Sequence, residues 1–237
     1  MENQGTASSQ RRYQVYFNTV GKSYTPTTIP PQVILTDDVI DAGQLSYQIQ
    51  TSTATYFYHK AGGGFSSLVD KDGNDWINHS DAAGSAGEYR GIPNLVYPDD
   101  GGYFHPRQTG VVSTVLTEGP LKVKIHSSTA DNAWETLWEI YPNYAQLTVL
   151  KAATNYWFLY EGTLGGSLEV VSDFIIRSDG TQSLASETWT ADIVGDEWLF
   201  FGDPTLNRSL YFVHHEADEL VDSYYPMNNE MTVFGFG

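Results

Sequence analysis

Apolar residues recur at every second position along most of this chain. Leu45, Tyr47 and Ile49 alternate with serine and glutamine, and Val123 and Ile125 alternate with lysine and histidine. Successive side chains of a β-strand point to opposite faces, so a period of two predicts half-buried strands. No segment carries an apolar stripe with the 3.6-residue spacing of a helix over a helical length. The pattern therefore predicts an all-β protein.

Turn-forming dipeptides separate the alternating segments, as expected for short strands joined by tight connections. These dipeptides are Asp72-Gly73, Gly119-Pro120, Asp179-Gly180, Gly195-Asp196 and Asp203-Pro204. Among the predicted strands are residues 145–152, 156–160, 168–177, 187–193, 198–201, 210–214 and 231–236. We predict a large antiparallel β-sandwich with more than ten strands. Because neither a repeat nor a linker is visible, it is predicted as a single domain over residues 13–237, after a flexible segment over residues 1–12.

The charge of the chain limits its partners. The 12 basic and 29 acidic residues give a net charge of −17. Such a field disfavours nucleic acid and anionic membranes, so we expect neither as a partner. It also counts, less decisively, against an acidic polysaccharide. The 6 Trp and 16 Tyr residues suit stacking on sugar rings, although many of them must fill the core.

The N-terminal residues lack the apolar core of a signal peptide, and no apolar run is long enough to cross a bilayer. A polar start and the absence of cysteine favour an exported bacterial protein, secreted or periplasmic, whose leader has been removed. A cytoplasmic protein would fit the same residues. Residues 231–237 read as a strand, and the sequence leaves open whether residues beyond Gly237 belong to the domain.

Residues 87–107 form the segment richest in potential chemistry. Glycine and proline punctuate it, so we predict an ordered loop in which only a short piece such as 94–97 is strand. The alternative is a loop that covers a sheet end. The candidate site residues of this loop are Tyr89, Arg90, Asn94, Tyr103, His105 and Arg107.

A family resemblance begins just before this loop. Residues 56–77 read YFYHKAGGGFSSLVDKDGNDWI, with glycines at 62–64 and a hairpin-like Leu68, Asp70, Gly73, Asp75 spacing. This run resembles the opening hairpin of the galactose-mutarotase-like superfamily. Arg90-Gly91, residues 157–162 and residues 212–215 fall near where such proteins bring arginine, aromatic, carboxylate and histidine groups to a sugar.

The resemblance implies a supersandwich fold and a carbohydrate ligand without specifying a reaction. The fold serves aldose epimerases, domains of glycoside hydrolases and several polysaccharide lyases. The Asn-His-x-Tyr-Phe-Asn-Leu segment of the aldose epimerases has no clear counterpart here, so simple mutarotation is not expected.

The residue types in the loop match the needs of β-elimination next to a uronic acid. Arg90 or Arg107 with Asn94 would neutralise the substrate carboxylate, so that the neighbouring proton becomes removable. His105 would remove that proton, and Tyr89 or Tyr103 would protonate the leaving oxygen. Each tyrosine could equally pack in the sandwich with its hydroxyl satisfied.

Four residues outside the loop complete the candidate set. Glu161 follows an aromatic strand, where burial can tune a carboxylate for proton transfer, although a structural pair with an arginine is equally open. His214 and His215 point to opposite faces of a strand, so at most one of them faces a given cleft. His214 is preferred, because Tyr211, Val213 and His215 would then share the other face. Trp157 and Tyr160 are candidates for stacking on sugar. Any of them could also be core residues.

Metal binding has little support in the sequence. Asp70, Asp72 and Asp75 have the acidic density of a calcium loop, but their spacing departs from an EF-hand and Asp72-Gly73 is already a hairpin turn. Histidine pairs with zinc-ligand spacing are absent. We expect no cofactor, a structural calcium being the one alternative.

Several functions remain open on the residues alone. The first is a polysaccharide lyase that cleaves a uronic-acid-containing glycan by proton abstraction. The second is a non-catalytic carbohydrate-binding module using Trp157, Tyr160, Tyr103 and Arg90. A glycoside hydrolase would pair Glu161 with Asp218 or Asp99, and an epimerase of the same fold is a further alternative. The partner expected in every case is an oligo- or polysaccharide.

Overall fold

A computed structural model describes residues 21, 23, 27–84, 87–89, 91–96 and 104–237, with the backbone alone for 81–84 and 87–89. The chain divides into two compact units, Met1–Pro30 and Pro31–Gly237, and every strand below belongs to the second. The predicted flexible segment 1–12 lies outside the described residues. Within the described part of the chain, no helix has the length and apolar character needed to cross a bilayer.

The described residues of the second unit form strands joined by short connections, with a single 3₁₀ turn at Leu164–Gly166. In chain order the strands are β1 (Ile34–Asp41), β2 (Gln44–Gln50), β3 (Ala54–His59), β4 (Gly64–Asp70), β5 (Ser80–Gly84), β6 (Gly87–Tyr89), β7 (Gly91–Val96), β8 (Val111–Gly119), β9 (Lys122–Thr129), β10 (Glu135–Ile140), β11 (Ala145–Lys151), β12 (Trp157–Gly162), β13 (Phe174–Arg177), β14 (Gln182–Leu184), β15 (Trp189–Ala191), β16 (Trp198–Gly202), β17 (Ser209–Val213), β18 (Asp222–Met227) and β19 (Met231–Phe236).

One large sheet organises the fold. Its nine strands run in the order β1-β2-β3-β4-β7-β12-β19-β18-β15, and neighbouring strands are antiparallel. Two four-stranded sheets, β11-β10-β9-β8 and β14-β13-β16-β17, and the β5-β6 hairpin complete the strands. The prediction of an all-β protein with large antiparallel sheets, consistent with a β-sandwich, is confirmed.

Both four-stranded sheets pack against the same side of the large sheet, which we call its inner face. On β4 the ring of Phe65 lies edge-on to Trp138 of β10, with centroids 4.5 Å apart. On β19 the ring of Phe234 lies 5.8 Å from Phe201 of β16. These residues belong to one continuous buried cluster. The inner face therefore carries the main core, and the opposite side of the large sheet is its outer face.

The glycines at 62–64 allow close approach of a later segment. A β-carbon on Gly62 would lie 1.9 Å from the Pro106 carbonyl oxygen, and one on Gly63 would lie 2.5 Å from the ring of Phe104. Neither distance is possible for real atoms, so side chains are excluded at both positions. The glycine triplet thus packs the second half of the 87–107 segment against the start of β4.

Two local predictions need correction. The predicted strand 168–177 exists only from Phe174, because the Asp173 carboxylate accepts the Glu169 amide (2.8 Å) and the Asp173 amide donates back to the Glu169 carbonyl (2.9 Å), which closes a turn. The first half of the 87–107 segment is not a loop, since it forms β6 and β7. Strand β7 is paired on both sides, and this pairing overrides the turn preference of its Gly91 and Pro93.

Candidate functional site

A buried polar pair lies on the outer face of the large sheet. Asn94 of β7 and Glu161 of β12 are 0% and 3% exposed, and the Asn94 amide donates to Glu161 Oε1 at 3.0 Å. Around them the outer face is apolar, with Val96, Leu159 and Val233 in one buried cluster. A buried carboxylate is costly unless it is hydrogen-bonded, and Asn94 supplies one such bond. Two predicted site residues, 67 positions apart, are thus in direct contact.

A backbone bridge brings Phe104, the residue before His105, alongside β7. Leu95 and Phe104 exchange two hydrogen bonds, of 2.9 and 3.4 Å, and their side chains share a buried cluster with Trp134. The bridge is a single one, and antiparallel register extended by one residue beyond it would bring Asn94 and His105 opposite each other. Because side chains alternate, both are expected on the outer face, opposite Leu95 and Phe104. His105 is half-buried.

The side-chain oxygen of Asn94 is a second polar atom at this site. This atom, Oδ1, is buried and accepts no hydrogen bond from the residues that the structure describes. Buried amide oxygens are satisfied in most proteins, so each exception calls for an explanation. A ligand hydroxyl donating to Asn94 Oδ1 would satisfy it.

Further buried polar groups border the site on the β4 side. Pairing of Phe65 with Ile92 puts Ser66 beside Gly91, which in turn pairs with Glu161. Ser66 Oγ donates to the Asp41 carboxylate at 2.5 Å. The row from Ser66 to Glu161 is therefore polar at both ends and has no side chain in the middle, at Gly91.

Two buried histidines that the sequence reasoning missed lie near this row. His59 Nδ1 is 2.8 Å from the carbonyl oxygen of Pro106, and the His59 and His79 rings pack edge to face at 5.2 Å. The His79 amide donates to the Ser66 carbonyl. His59 had a detectable signal, because it is out of phase with the buried Tyr56 and Tyr58 of the same strand and so faces the other way.

The remaining residues of the predicted loop are less completely placed. The backbone of Tyr89 pairs with Ser80 in the β5-β6 hairpin, and its side chain lies outside the described part. Arg90 and Tyr103 also lie outside the described residues. Arg107, two positions after His105, is half-buried. These four residues stay predictions.

The two aromatic candidates of β12 point to opposite faces. Trp157 is half-buried and packs against the outer-face cluster of Val96 and Leu159. Tyr160 is fully buried on the inner face, where its hydroxyl donates to the Trp76 carbonyl at 2.5 Å. Burial raises the pKa of Tyr160 well above its ordinary value. Tyr160 therefore occupies the position of a core residue, on the face opposite the Asn94–Glu161 pair.

A second candidate region is a cleft of about 1220 Å³ on the inner side of the large sheet. Residues of β11 and β17, from the two four-stranded sheets, contribute to its lining. Its aromatic lining consists of Tyr56, Phe65, Trp76, Trp138, Tyr144, Tyr156, Phe158, Tyr211, Phe212 and Phe236. Tyr144 is 53% exposed and stacks on Tyr141 with centroids 4.7 Å apart. An exposed ring held in this way can stack on a sugar.

His214 belongs to this cleft and not to the Asn94–Glu161 site. Its ring lies 5.3 Å from Phe236, whose neighbours are the inner-face rings. Glu161 pairs with Val233 and faces the other way, so β12 and β19 stand between the two groups. The structure thus separates His214 from Glu161. It also separates Glu161 from Asp218, the partner predicted for a hydrolase; Asp99 lies outside the described residues.

The β16-β17 hairpin gives His214 a partner that the sequence reasoning missed. Trp198 pairs with Val213, so Glu197 and His214 are next in register. His214 Nδ1 lies 2.5 Å from Glu197 Oε2, and the Asp218 amide donates to Glu197 Oε1 at 2.7 Å. Glu197 is buried. The sequence did carry a signal for this contact: Asp203-Pro204 marks the turn between the two strands, and the strand residues counted back from that turn are the ones that pair.

The acidic 70–75 segment forms a hairpin turn. The Asp70 carboxylate accepts the Asp72 amide at 2.8 Å, the Asn74 amide at 3.0 Å and the Trp76 indole at 3.0 Å. Burial acts to raise the pKa of Asp70, but hydrogen bonds from Trp76 and Asn74 outweigh it and lower the pKa overall. The role of Asp70 is therefore to accept the hydrogen bonds that hold the turn together.

No family model, no curated protein and no solved structure matches this chain. The resemblance to the galactose-mutarotase-like superfamily therefore stays a prediction.

Proposed function

We propose that this protein is a polysaccharide lyase that cleaves a uronic-acid-containing glycan by β-elimination at the outer-face site. The observation that carries the proposal is the buried contact between Asn94 and Glu161, next to the bridge between Leu95 and Phe104, the residue before His105. Asn94 and Glu161, two residues expected from their chemistry and 67 positions apart, are in contact, and the proposal places His105 beside them. Such convergence of an amide, a carboxylate and an imidazole supports proton-transfer chemistry.

The roles follow from what each group can donate or accept. His105 takes the proton next to the substrate carboxyl group, and the electron pair left behind forms the new carbon–carbon double bond. The glycosidic carbon–oxygen bond on the neighbouring carbon breaks, and Tyr89 gives a proton to the departing oxygen. Asn94 and Glu161 hold the sugar, with Asn94 Oδ1 accepting from a hydroxyl.

The net charge of −17 weighs against an acidic substrate, so a local cation is required. Arg90 and Arg107 are the predicted cations, since a guanidinium binds a carboxylate through two parallel hydrogen bonds. Arg107 follows His105 by two positions, close enough for both side chains to serve one ligand. Removing the substrate charge in this way makes the neighbouring proton more acidic.

Ultraviolet absorbance of the unsaturated product tests the proposal directly. The protein is incubated with a panel of uronic-acid polysaccharides, and rising absorbance is the expected result. His105→Ala should lower the rate by about 10²- to 10⁴-fold, the usual contribution of a general base. His126→Ala is the matched control, because His126 lies half-buried on β9 in a four-stranded sheet. A flat trace on every polymer, or full activity in the His105 variant, would contradict the proposal.

A second candidate is glycan binding without catalysis in the inner cleft. The observation favouring it is the aromatic lining together with the exposed Tyr144. Asp70, Glu216 and Asp218 also line the cleft, and its one described lysine or arginine, Arg208, is paired with Asp72, so a neutral oligosaccharide fits the cleft better than an acidic one. Under this candidate Tyr144→Ala weakens binding to neutral glycans and His105→Ala does not. Under the lyase proposal His105→Ala lowers the rate of cleavage and Tyr144→Ala does not.

A further inference from the structure

Three side chains at one end of the inner cleft converge on a common point. Glu197, His214 and Asp218 each offer one ligand atom, and these atoms all lie within 4.8 Å of one another. His214 and Asp218 also line the cleft. Glu197 is 3% exposed, so the group is anchored in the protein interior on one side and open to the cleft on the other.

We infer that Glu197, His214 and Asp218 form a binding site for a divalent transition-metal ion, with zinc the best fit. One imidazole and two carboxylates are ligands that zinc accepts. Calcium and magnesium prefer oxygen ligands alone, so the imidazole disfavours both. Three protein ligands leave a fourth position for water or for a molecule in the cleft, as in catalytic zinc sites.

The charges around the site favour a cation. Among the described residues, Glu197 forms an ion pair with His214, which is charged only when protonated. Asp222 is a further acidic neighbour: burial, together with the charges of Glu197 and Asp192, raises its pKa to about 6 despite hydrogen bonds from the Ile193 and Gly237 amides. A divalent ion would offset this concentration of negative charge.

The distances define the movement that metal binding requires. His214 Nδ1 and Glu197 Oε2 are 2.5 Å apart, as in a hydrogen bond. Two ligands at bond lengths of about 2.0 to 2.2 Å in a tetrahedral site lie about 3.4 Å from each other. The His214 side chain must therefore move outward by about 1 Å on that geometry. It is 31% exposed, whereas Glu197 is buried, so the histidine is the ligand with room to move.

Isothermal titration of the metal-stripped full chain with Zn²⁺ near neutral pH tests the inference. We expect a single zinc ion per chain, and Ca²⁺ in the same experiment should give no comparable heat. His214→Ala and Asp218→Asn should each weaken zinc binding by at least about tenfold, since each removes a ligand or its charge. Both lie at half-buried positions, so these variants are expected to fold.

His215→Ala is the matched control, because His215 adjoins His214 in sequence and lines the same cleft without belonging to the three-residue group. It should bind zinc like the unaltered protein. Absence of zinc binding in the unaltered chain would overturn the inference. Binding that survives in both ligand variants, or that is lost only in the His215 variant, would do so equally. Because the readout is binding heat, the result is independent of any lyase activity.

Discussion

At the central strands β7, β12 and β19 both faces of the nine-stranded sheet are buried, but they bury different chemistry. Tyr160 and Glu161 are consecutive residues of β12, and they show the contrast directly. Tyr160 enters a core of aromatic rings that includes Phe201 and Phe234. Glu161 turns to the outer face, where Asn94 donates to it among apolar neighbours. A buried carboxylate adds little to stability, so its place beside the apolar cluster of Val96, Leu159 and Val233 favours a role in function.

The largest expected effect is on the inner face. Phe201→Ala should lower the free energy of unfolding by about 3 to 5 kcal/mol, because a large ring is removed from a closed core and a cavity remains. Urea denaturation measures this. Val171→Ala, at a side chain 77% exposed, is the control and should change the free energy by less than about 0.5 kcal/mol. Equal costs in the two variants would contradict the assignment of the core.

Gly91, between Ser66 and Glu161, tests the packing of the outer face. Gly91→Ala should cost about 2 to 4 kcal/mol, because φ is +83° and the new β-carbon would lie 2.3 Å from the Phe65 carbonyl oxygen. Gly180→Ala is the matched control, since φ is +82° and nothing lies within 4 Å of the added atom. It should cost only about 1 to 2 kcal/mol, from backbone strain alone. A Gly91 variant no worse than the Gly180 variant would show that the strands are not closely packed there.

The outer-face pair can be measured by a double-mutant cycle. Asn94→Ala, Glu161→Ala and the double variant should give a coupling energy of about 1.5 to 3 kcal/mol, the range for a buried hydrogen bond to a charged group. Thermal or urea unfolding supplies the four free energies. Additive effects of the two substitutions would mean that the two side chains do not interact in solution.

The smallest effect concerns a buried carboxylate on the inner side. Burial raises the pKa of Asp173 from 3.8 to about 6, although the Glu169 amide donates to it. The folded chain therefore holds this proton more tightly than the unfolded chain, and stability falls as pH rises from about 4 to about 6. Asp173→Asn removes that fall. Its free energy of unfolding, relative to the unaltered protein, should increase by about 1 to 2 kcal/mol between about pH 4 and about pH 7. A constant difference across this range would be the contrary result.

Strands with regular alternation could be predicted well from the sequence. The predicted strands 145–152 and 231–236 correspond to β11 and β19, because apolar spacing and flanking turns decide such segments locally. Strand β7 was harder to predict. Its Gly91 and Pro93 favour turns, and only pairing with β4 and β12, distant in sequence, makes it extended.

The candidate site was predictable by residue type but not by placement. Asn94 and Glu161 could be selected for their chemistry, yet their contact depends on β7 lying beside β12, a non-sequential arrangement. His214 is a similar case. The alternation of its strand predicts which side the residue faces, but not which sheet contains that strand. Glu197 was overlooked because its partner becomes evident only from the register of the β16-β17 hairpin.

The strand order of the large sheet has a kinetic consequence. β19 lies between β12 and β18, so the half built by β1 to β12 and the half built by β15 and β18 join only through residues 231–236. Phe158 must find Phe236, 78 positions further along the chain, which requires closure of a long loop. Proteins dominated by such distant pairings fold slowly. Until β19 is inserted, the edges of β12 and β18 stay open to pairing with other chains. Aggregation is therefore the main risk while the chain is being synthesised and β19 is not yet in place.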